Sequence, residues 1–126
     1  MSEIPTDRVY AESHEWHKVE GDVVTLGITR HAVDALTDVT FVEMKPAGTS
    51  ISAGDAVGEV ESVKTTSDIY SLVGGEVVEV NQAVVDNPSL LNEDPYGAGW
   101  LIKVRASDTG PLGSAMDAEA YGKHIA

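Results

Sequence analysis

The sequence contains no cysteine. That removes disulfides, thiolate nucleophiles and cysteine-ligated metal sites together. Basic residues are scarce: Lys and Arg number 8 against 21 Asp and Glu, a formal charge of −13. A surface that acidic repels phosphate backbones and anionic membranes, so we expect neither nucleic acid nor a lipid surface as partner. The charge instead favours solubility and docking onto basic patches. No apolar run approaches the roughly 18 residues of a spanning helix. The segment Met1–Arg8 has neither an apolar core nor a basic cluster, so it reads as neither secretory signal nor transit peptide. We expect a cytoplasmic protein, or a mitochondrial matrix protein only where a presequence has been removed.

The 126 residues, 42% of them hydrophobic, suit one domain. Such a domain needs neither metal nor disulfide to fold. We expect a single domain over residues 1–126, with a β core over roughly residues 10–105 and a helical segment over roughly residues 113–126.

Short β-prone runs are separated by Gly-containing turns. Val23–Ile28 alternates, with Val24, Leu26 and Ile28 on one face. Thr29 caps a short helix that runs to Leu36. Val39–Met44 reads as a strand, with Val39 and Phe41 on one face and Thr40, Val42 and Met44 on the other. Val57–Val63, Ile69–Val73, Glu76–Val80 and Trp100–Val104 follow as strands, with Val78 and Val80 sharing a face. Asn87–Leu91 suggests one helical turn, Ser107–Leu112 a loop, and Met116–Ile125 a helix. Strands at this spacing indicate an all-β sandwich or barrel. Gly54–Val60 and Gly74–Val80 echo each other, each a Gly turn feeding a β-branched strand, as two similar β-halves facing each other would.

Lys64 stands out. Two β-prone runs flank it, which predicts a hairpin with the lysine at or near its tip. It is the only basic residue between Pro46 and Ile102, a span that holds nine acidic residues. Three readings fit these facts. An ordinary surface lysine would pair weakly with Glu61 or Asp68. A lysine on a protruding turn is also open to a modifying enzyme, and acylation would make it a long neutral arm. An imine-forming lysine needs a desolvated pocket, against which Ser62, Thr65, Thr66 and Ser67 argue.

Other constellations carry less. His14-Glu15-Trp16-His17 has histidines at i and i+3, whereas the zincin pattern needs i and i+4 on a helix. We expect Trp16 in the core and these histidines at the surface. His31 with Asp34, and His124 near Glu119, lack a nucleophile and read as solvated helix faces. Gly97 and Gly99 are not followed by Gly-Lys-Ser/Thr, so they form no phosphate loop. Tyr96 and Trp100 read as core or cleft-wall residues.

The segment Glu61-Ser-Val-Lys-Thr-Thr-Ser-Asp-Ile-Tyr-Ser71 closely resembles the lipoyl-attachment motif of the glycine cleavage system H protein family. Further stretches match in the same order: Ser13-His-Glu-Trp16, Leu26-Gly-Ile-Thr29, Phe41-Val-Glu43, Gly75-Glu-Val-Val-Glu-Val-Asn81, Asn92-Glu-Asp-Pro-Tyr-Gly97 and Gly99-Trp-Leu-Ile-Lys103. A weaker match continues through Asp117-Ala-Glu-Ala-Tyr121. The resemblance favours the acylated reading of Lys64. The sequence departs from the family pattern at Thr37, where Gly is usual and a left-handed turn would be strained. It departs also at Thr65-Thr66, Leu72 and Gly74.

The resemblance implies a mainly β fold, a barrel-sandwich hybrid of two antiparallel sheets with short helices and a C-terminal helix. It implies lipoate amide-linked to Lys64, with no catalytic residue and no metal. The protein would be a carrier, since the lipoyl group holds the chemistry. Its implied partners are the pyridoxal-phosphate glycine decarboxylase (P protein), the folate-dependent aminomethyltransferase (T protein), dihydrolipoamide dehydrogenase (L protein) and lipoate-attaching enzymes. The aminomethyl group of glycine would pass from the first to the second. A water-excluding cleft near Ser13 and Glu15, with a carboxylate beside the loaded amine, would protect it. Glu61 and Gly48 are the features the attaching enzyme would read, Gly48 by letting a neighbouring loop approach closely. We expect a monomer. The alternatives are an H-like relay donating lipoyl groups to other complexes, a biotin carrier, for which Val63 and Thr65 replace the usual flanking methionines, and an imine-forming enzyme.

Overall fold

The structure, a computed structural model, describes residues 4–126. The first three residues of the Met1–Arg8 segment and of the expected 1–126 domain lie outside the described residues. In chain order the elements are β1 (Val9–Tyr10), β2 (Glu15–Glu20), β3 (Val23–Ile28), α1 (Arg30–Leu36), β4 (Val39–Met44), β5 (Ser50–Ile51), β6 (Ala56–Ser62), β7 (Thr66–Tyr70), β8 (Gly75–Val80), α2 (Gln82–Asp86), α3 (Ser89–Glu93), β9 (Ile102–Ala106), a 3-10 turn (Gly110–Ser114) and α4 (Ala118–His124).

The strands form two open antiparallel sheets. One is six-stranded in the order β1-β2-β3-β9-β8-β5, and the other is three-stranded in the order β4-β6-β7. The fold is therefore the expected mainly β sandwich, without a closed barrel among the described residues. The echoing segments Gly54–Val60 and Gly74–Val80 feed β6 and β8, which lie in different sheets.

The core lies between the sheets. Val24, Leu26 and Ile28 of β3 are at most 3% exposed, as their alternation predicts. Val24 and Leu26 sit opposite Val104 and Ile102 of β9, and all three join Val42, Val57, Val60 and Ile69 of the small sheet in one core cluster. Each such side chain contributes about 1.5–3 kcal/mol on burial.

The pairing of β2 with β3 decides where the polar residues of β2 point. Glu15 is opposite Ile28 and His17 opposite Leu26. Directly paired residues share a face, so Glu15 and His17 face the core side. Trp16 faces the other way, opposite Gly27, where an added Cβ would stand 2.5 Å from the indole. Trp16 packs with Tyr10 and Tyr121 in a second, aromatic cluster, against which Tyr96 and Trp100 also pack.

Five readings need correction. In β4 a bulge between Val39 and Phe41 breaks the alternation. Val39 therefore joins Val42 and Met44 in the core, while Phe41 is exposed. In β8 a bulge between Val77 and Glu79 leaves Val77 as the core residue, with Val78 and Val80 half-buried. His17 is fully buried rather than at the surface. Residues 82–93 hold two short helices rather than one turn, and a 3-10 turn interrupts the tail expected to be a loop.

Candidate functional site

Strands β6 and β7 form the expected hairpin, in register through Glu61 opposite Thr66. Its tip is Val63-Lys64. Two-residue hairpin loops usually need positive φ, yet neither tip residue has it. Ser62 closes the turn instead. Its amide donates to the Thr65 carbonyl at 2.8 Å. Its Oγ accepts the amides of Lys64 and Thr65, both at 3.1 Å. The Val63 amide donates to the Asp38 carbonyl at 3.1 Å, fastening the tip to the loop before β4. The tip is thus braced at its backbone while the Lys64 side chain is exposed. Among the described residues Lys64 forms no ion pair with Glu61, Asp68 or any other carboxylate. An imine-forming lysine needs a desolvated pocket, whereas Lys64 is exposed.

A cleft of about 220 Å³ opens beside the tip. One wall is the hairpin from Thr65 to Ile69, and the other is Ile28 with Ala32, Ala35 and Leu36 of α1. Ser13, His14 and Glu15 close its far side. Depressions of about 420, 390 and 430 Å³ lie elsewhere on the surface, and none of them touches the tip.

Glu15 is 1% exposed. The Ser13 hydroxyl donates a short hydrogen bond to its Oε1, and the Tyr70 amide donates to Oε2 at 3.1 Å. Burial pushes its carboxyl pKa up, and these two donors offset that only in part. Two positions along β2, His17 Nε2 accepts the Leu72 amide at 3.1 Å, while Nδ1 has no hydrogen-bond partner. Burial lowers the His17 pKa to about 4, against a weak opposing effect of the Glu15 backbone. Asp68 stands exposed at the cleft rim and accepts a hydrogen bond from Tyr70 Oη at 3.3 Å.

The cleft therefore has an apolar wall suited to hydrocarbon, a buried carboxylate and a rim carboxylate suited to an amine, and a lining that reaches Thr65, the residue after Lys64. The structure brings Ser13 and Glu15 to this cleft as expected. Gly48 sits elsewhere, in the turn after β4. Its φ of 93° explains the glycine, and no atom lies within 4 Å of an added Cβ, so the expected close loop approach is absent. Glu61 is half-buried on β6 opposite Phe41 and Thr66. The rings of His31 and His124 lie 4.9 and 5.8 Å from that of His14. Among the described residues no three side chains are disposed to hold a metal. Sequence reasoning missed the α1 wall, since Ala32, Ala35 and Leu36 carry no chemical signal of their own.

The model of the family described as glycine cleavage H-protein matches residues 8–126. The chain is 52% identical over 125 residues to the glycine cleavage system H protein of Alcanivorax borkumensis, covering 99% of this chain and 98% of that one. It is 51% identical over 119 residues to the glycine cleavage system H protein of Thermus thermophilus, covering 94% and 93%. A crystal structure of a glycine cleavage system H protein from Mycobacterium marinum superposes with a TM-score of 0.87 at 44% identity, covering 95% of this chain and 97% of that one.

Proposed function

The chain belongs to the glycine cleavage H-protein family, and from that premise we propose that Lys64 carries lipoate in amide linkage. In this reading residues 1–126 work as one non-catalytic carrier domain. It takes the aminomethyl group of glycine from the decarboxylase, gives it to the aminomethyltransferase, and is reoxidised by dihydrolipoamide dehydrogenase. It works as a monomer in the cytoplasm, and a lipoate-attaching enzyme modifies it there.

The observation that carries this reading is an exposed amine on a braced turn beside a cleft lined by a buried carboxylate. When bound, lipoate supplies the redox-active sulfurs that this chain lacks. The chain's own residues do the rest. Ser62 holds the tip so that the amine projects. Ile28, Leu36 and Ile69 offer an apolar wall that excludes water. Glu15 and Asp68 offer acceptors for a cargo amine. A relay that only passed lipoyl groups onward would not need the buried carboxylate, so the cleft favours the amine carrier.

The outer face of the small sheet suits docking. Glu43 is opposite Glu59, and Glu59 opposite Asp68. This row of like charges has no cation within ion-pair distance among the described residues. It complements a basic rim around a partner's active site.

The test is Lys64→Arg in protein otherwise competent for lipoylation. The variant is expected to fold as the parent does and to lose glycine–bicarbonate exchange with the decarboxylase. Full exchange by Lys64→Arg would place the arm elsewhere.

A further inference from the structure

His14 adopts a φ of 78°, in the left-handed region that side chains other than glycine rarely occupy. The turn around it is closed on itself. The Ala11 amide donates to the Glu15 carbonyl at 2.9 Å, and the His14 amide to the Ala11 carbonyl at 3.0 Å. The brace comes from outside the turn. His14 Nδ1 lies 2.8 Å from the Tyr121 hydroxyl, which lies 2.6 Å from Thr29 Oγ1. The Thr29 amide returns to the His14 carbonyl at 3.0 Å. Tyr121, on α4, is fully buried and stacked on Tyr10 with ring centroids 4.8 Å apart. The residues on either side of His14 are Ser13 and Glu15, which meet each other and the Tyr70 amide in the cleft.

We infer that His14 and Tyr121 are positioning residues for the cleft carboxylate: the C-terminal helix, through the Tyr121 hydroxyl, holds residue 14 left-handed and so sets Ser13 and Glu15 against the hairpin. A conformation that costs energy by itself persists only where its surroundings fix it, and a hydroxyl from a residue 107 positions away joins the backbone bonds of the turn in that fixing. The Tyr121 hydroxyl bonds His14, which lines the cleft between Ser13 and Glu15, and Thr29, whose Oγ1 also accepts the Ala32 amide at the start of α1; its route to Ser13 and Glu15 is the backbone at residue 14. The importance of this for cargo rests on the reading of the cleft as the berth for a loaded amine. The geometric coupling stands without it.

Amide hydrogen exchange on the full, unmodified chain tests the coupling. Tyr121→Phe removes the hydroxyl and keeps the stacked ring. The Tyr70 amide, bound to Glu15, is expected to exchange about tenfold faster, the effect of losing one hydrogen bond. The Leu101 amide, which donates to the Leu26 carbonyl at 2.8 Å in the core, is expected to keep its rate. Adding His14→Gly is expected to restore Tyr70 protection, because glycine adopts positive φ without strain. Unchanged Tyr70 exchange, equal acceleration of Tyr70 and Leu101, or failure of the glycine rescue would each overturn the inference. The lifetime of the loaded arm, measured on lipoylated Tyr121→Phe, separates the two layers. A shortened lifetime supports both. An unchanged lifetime beside faster Tyr70 exchange upholds the positioning and overturns the berth.

Discussion

The Tyr70 amide donates to the Glu15 carboxylate at 3.1 Å, so a side chain of β2 in one sheet holds the backbone of β7 in the other. The hairpin that carries Lys64 is thereby tied to the far side of the cleft beside it. His17, next along the same face, does the same for Leu72. Two polar side chains occupy places where apolar ones would ordinarily pack.

Glu15 is held at a stability cost. Its pKa is raised above 4.5, chiefly by burial. The fold therefore binds the Glu15 proton more tightly than the unfolded chain does. That contribution is complete below the unfolded pKa and is lost as pH rises through the raised value. Glu15→Gln is expected to be more stable than the parent at pH 8, with the difference vanishing below pH 4. Urea titrations at both pH values measure it. The same variant is expected to release its cargo to water faster, since a stabilising change at a functional site commonly costs function.

His17 gives the opposite pH dependence. Its pKa falls from 6.5 to about 4 on folding. The unfolded chain therefore takes up the proton first, and stability present above pH 6.5 is lost as pH falls toward 4, by up to about 3 kcal/mol. Glu15 opposes this slope in the same window. His17→Gln keeps an acceptor for the Leu72 amide and removes the titration. Its stability is expected to fall less between pH 6.5 and 4 than that of the parent, and an unchanged slope would contradict the assignment.

Thr37 ends α1 with a φ of 65° and ψ of −129°. A β-branched residue is strained there, as its place in a position usual for glycine predicts. Asn92 clamps the turn by donating to the Thr37 carbonyl at 2.6 Å and accepting the Val39 amide at 3.0 Å. Thr37→Gly is expected to stabilise the protein by about 1 kcal/mol, the strain relieved exceeding the entropy added to the unfolded chain. Thermal or urea unfolding reads the sign directly.

The row Glu43–Glu59–Asp68 separates folding from docking. Glu59→Gln removes the middle charge and is expected to stabilise the isolated protein by a few tenths of a kcal/mol, about the scale of one cross-strand like-charge pair. It is expected to weaken association with the decarboxylase, and the parent's affinity is expected to fall with salt. A salt-independent affinity would remove the electrostatic part of the account.

Much of this is legible in the amino-acid sequence. Strand β3 follows from alternation because both its neighbours pair without a bulge. Strand β4 misled because a bulge leaves alternating letters while reversing a face. Helix α2 was missed because Val84 and Val85 are poor helix formers and no side chain caps it. Burial of Val84 holds it in place, which local sequence does not report. Lys64 was visible from its charge and hairpin setting, and Ser13 and Glu15 from their motif. The buried state of His17 was not, since a histidine in a strand looks alike on either face. Tyr121 gave no local sign of its tie to His14 from the far end of the chain.

The most direct measurement is intact mass spectrometry of the protein purified from its native host, with peptide mapping across residues 56–70. The account predicts a mass increment of one lipoyl group, located on Lys64. Biotin on that side chain, or an unmodified Lys64 in protein that supports glycine cleavage, would contradict it.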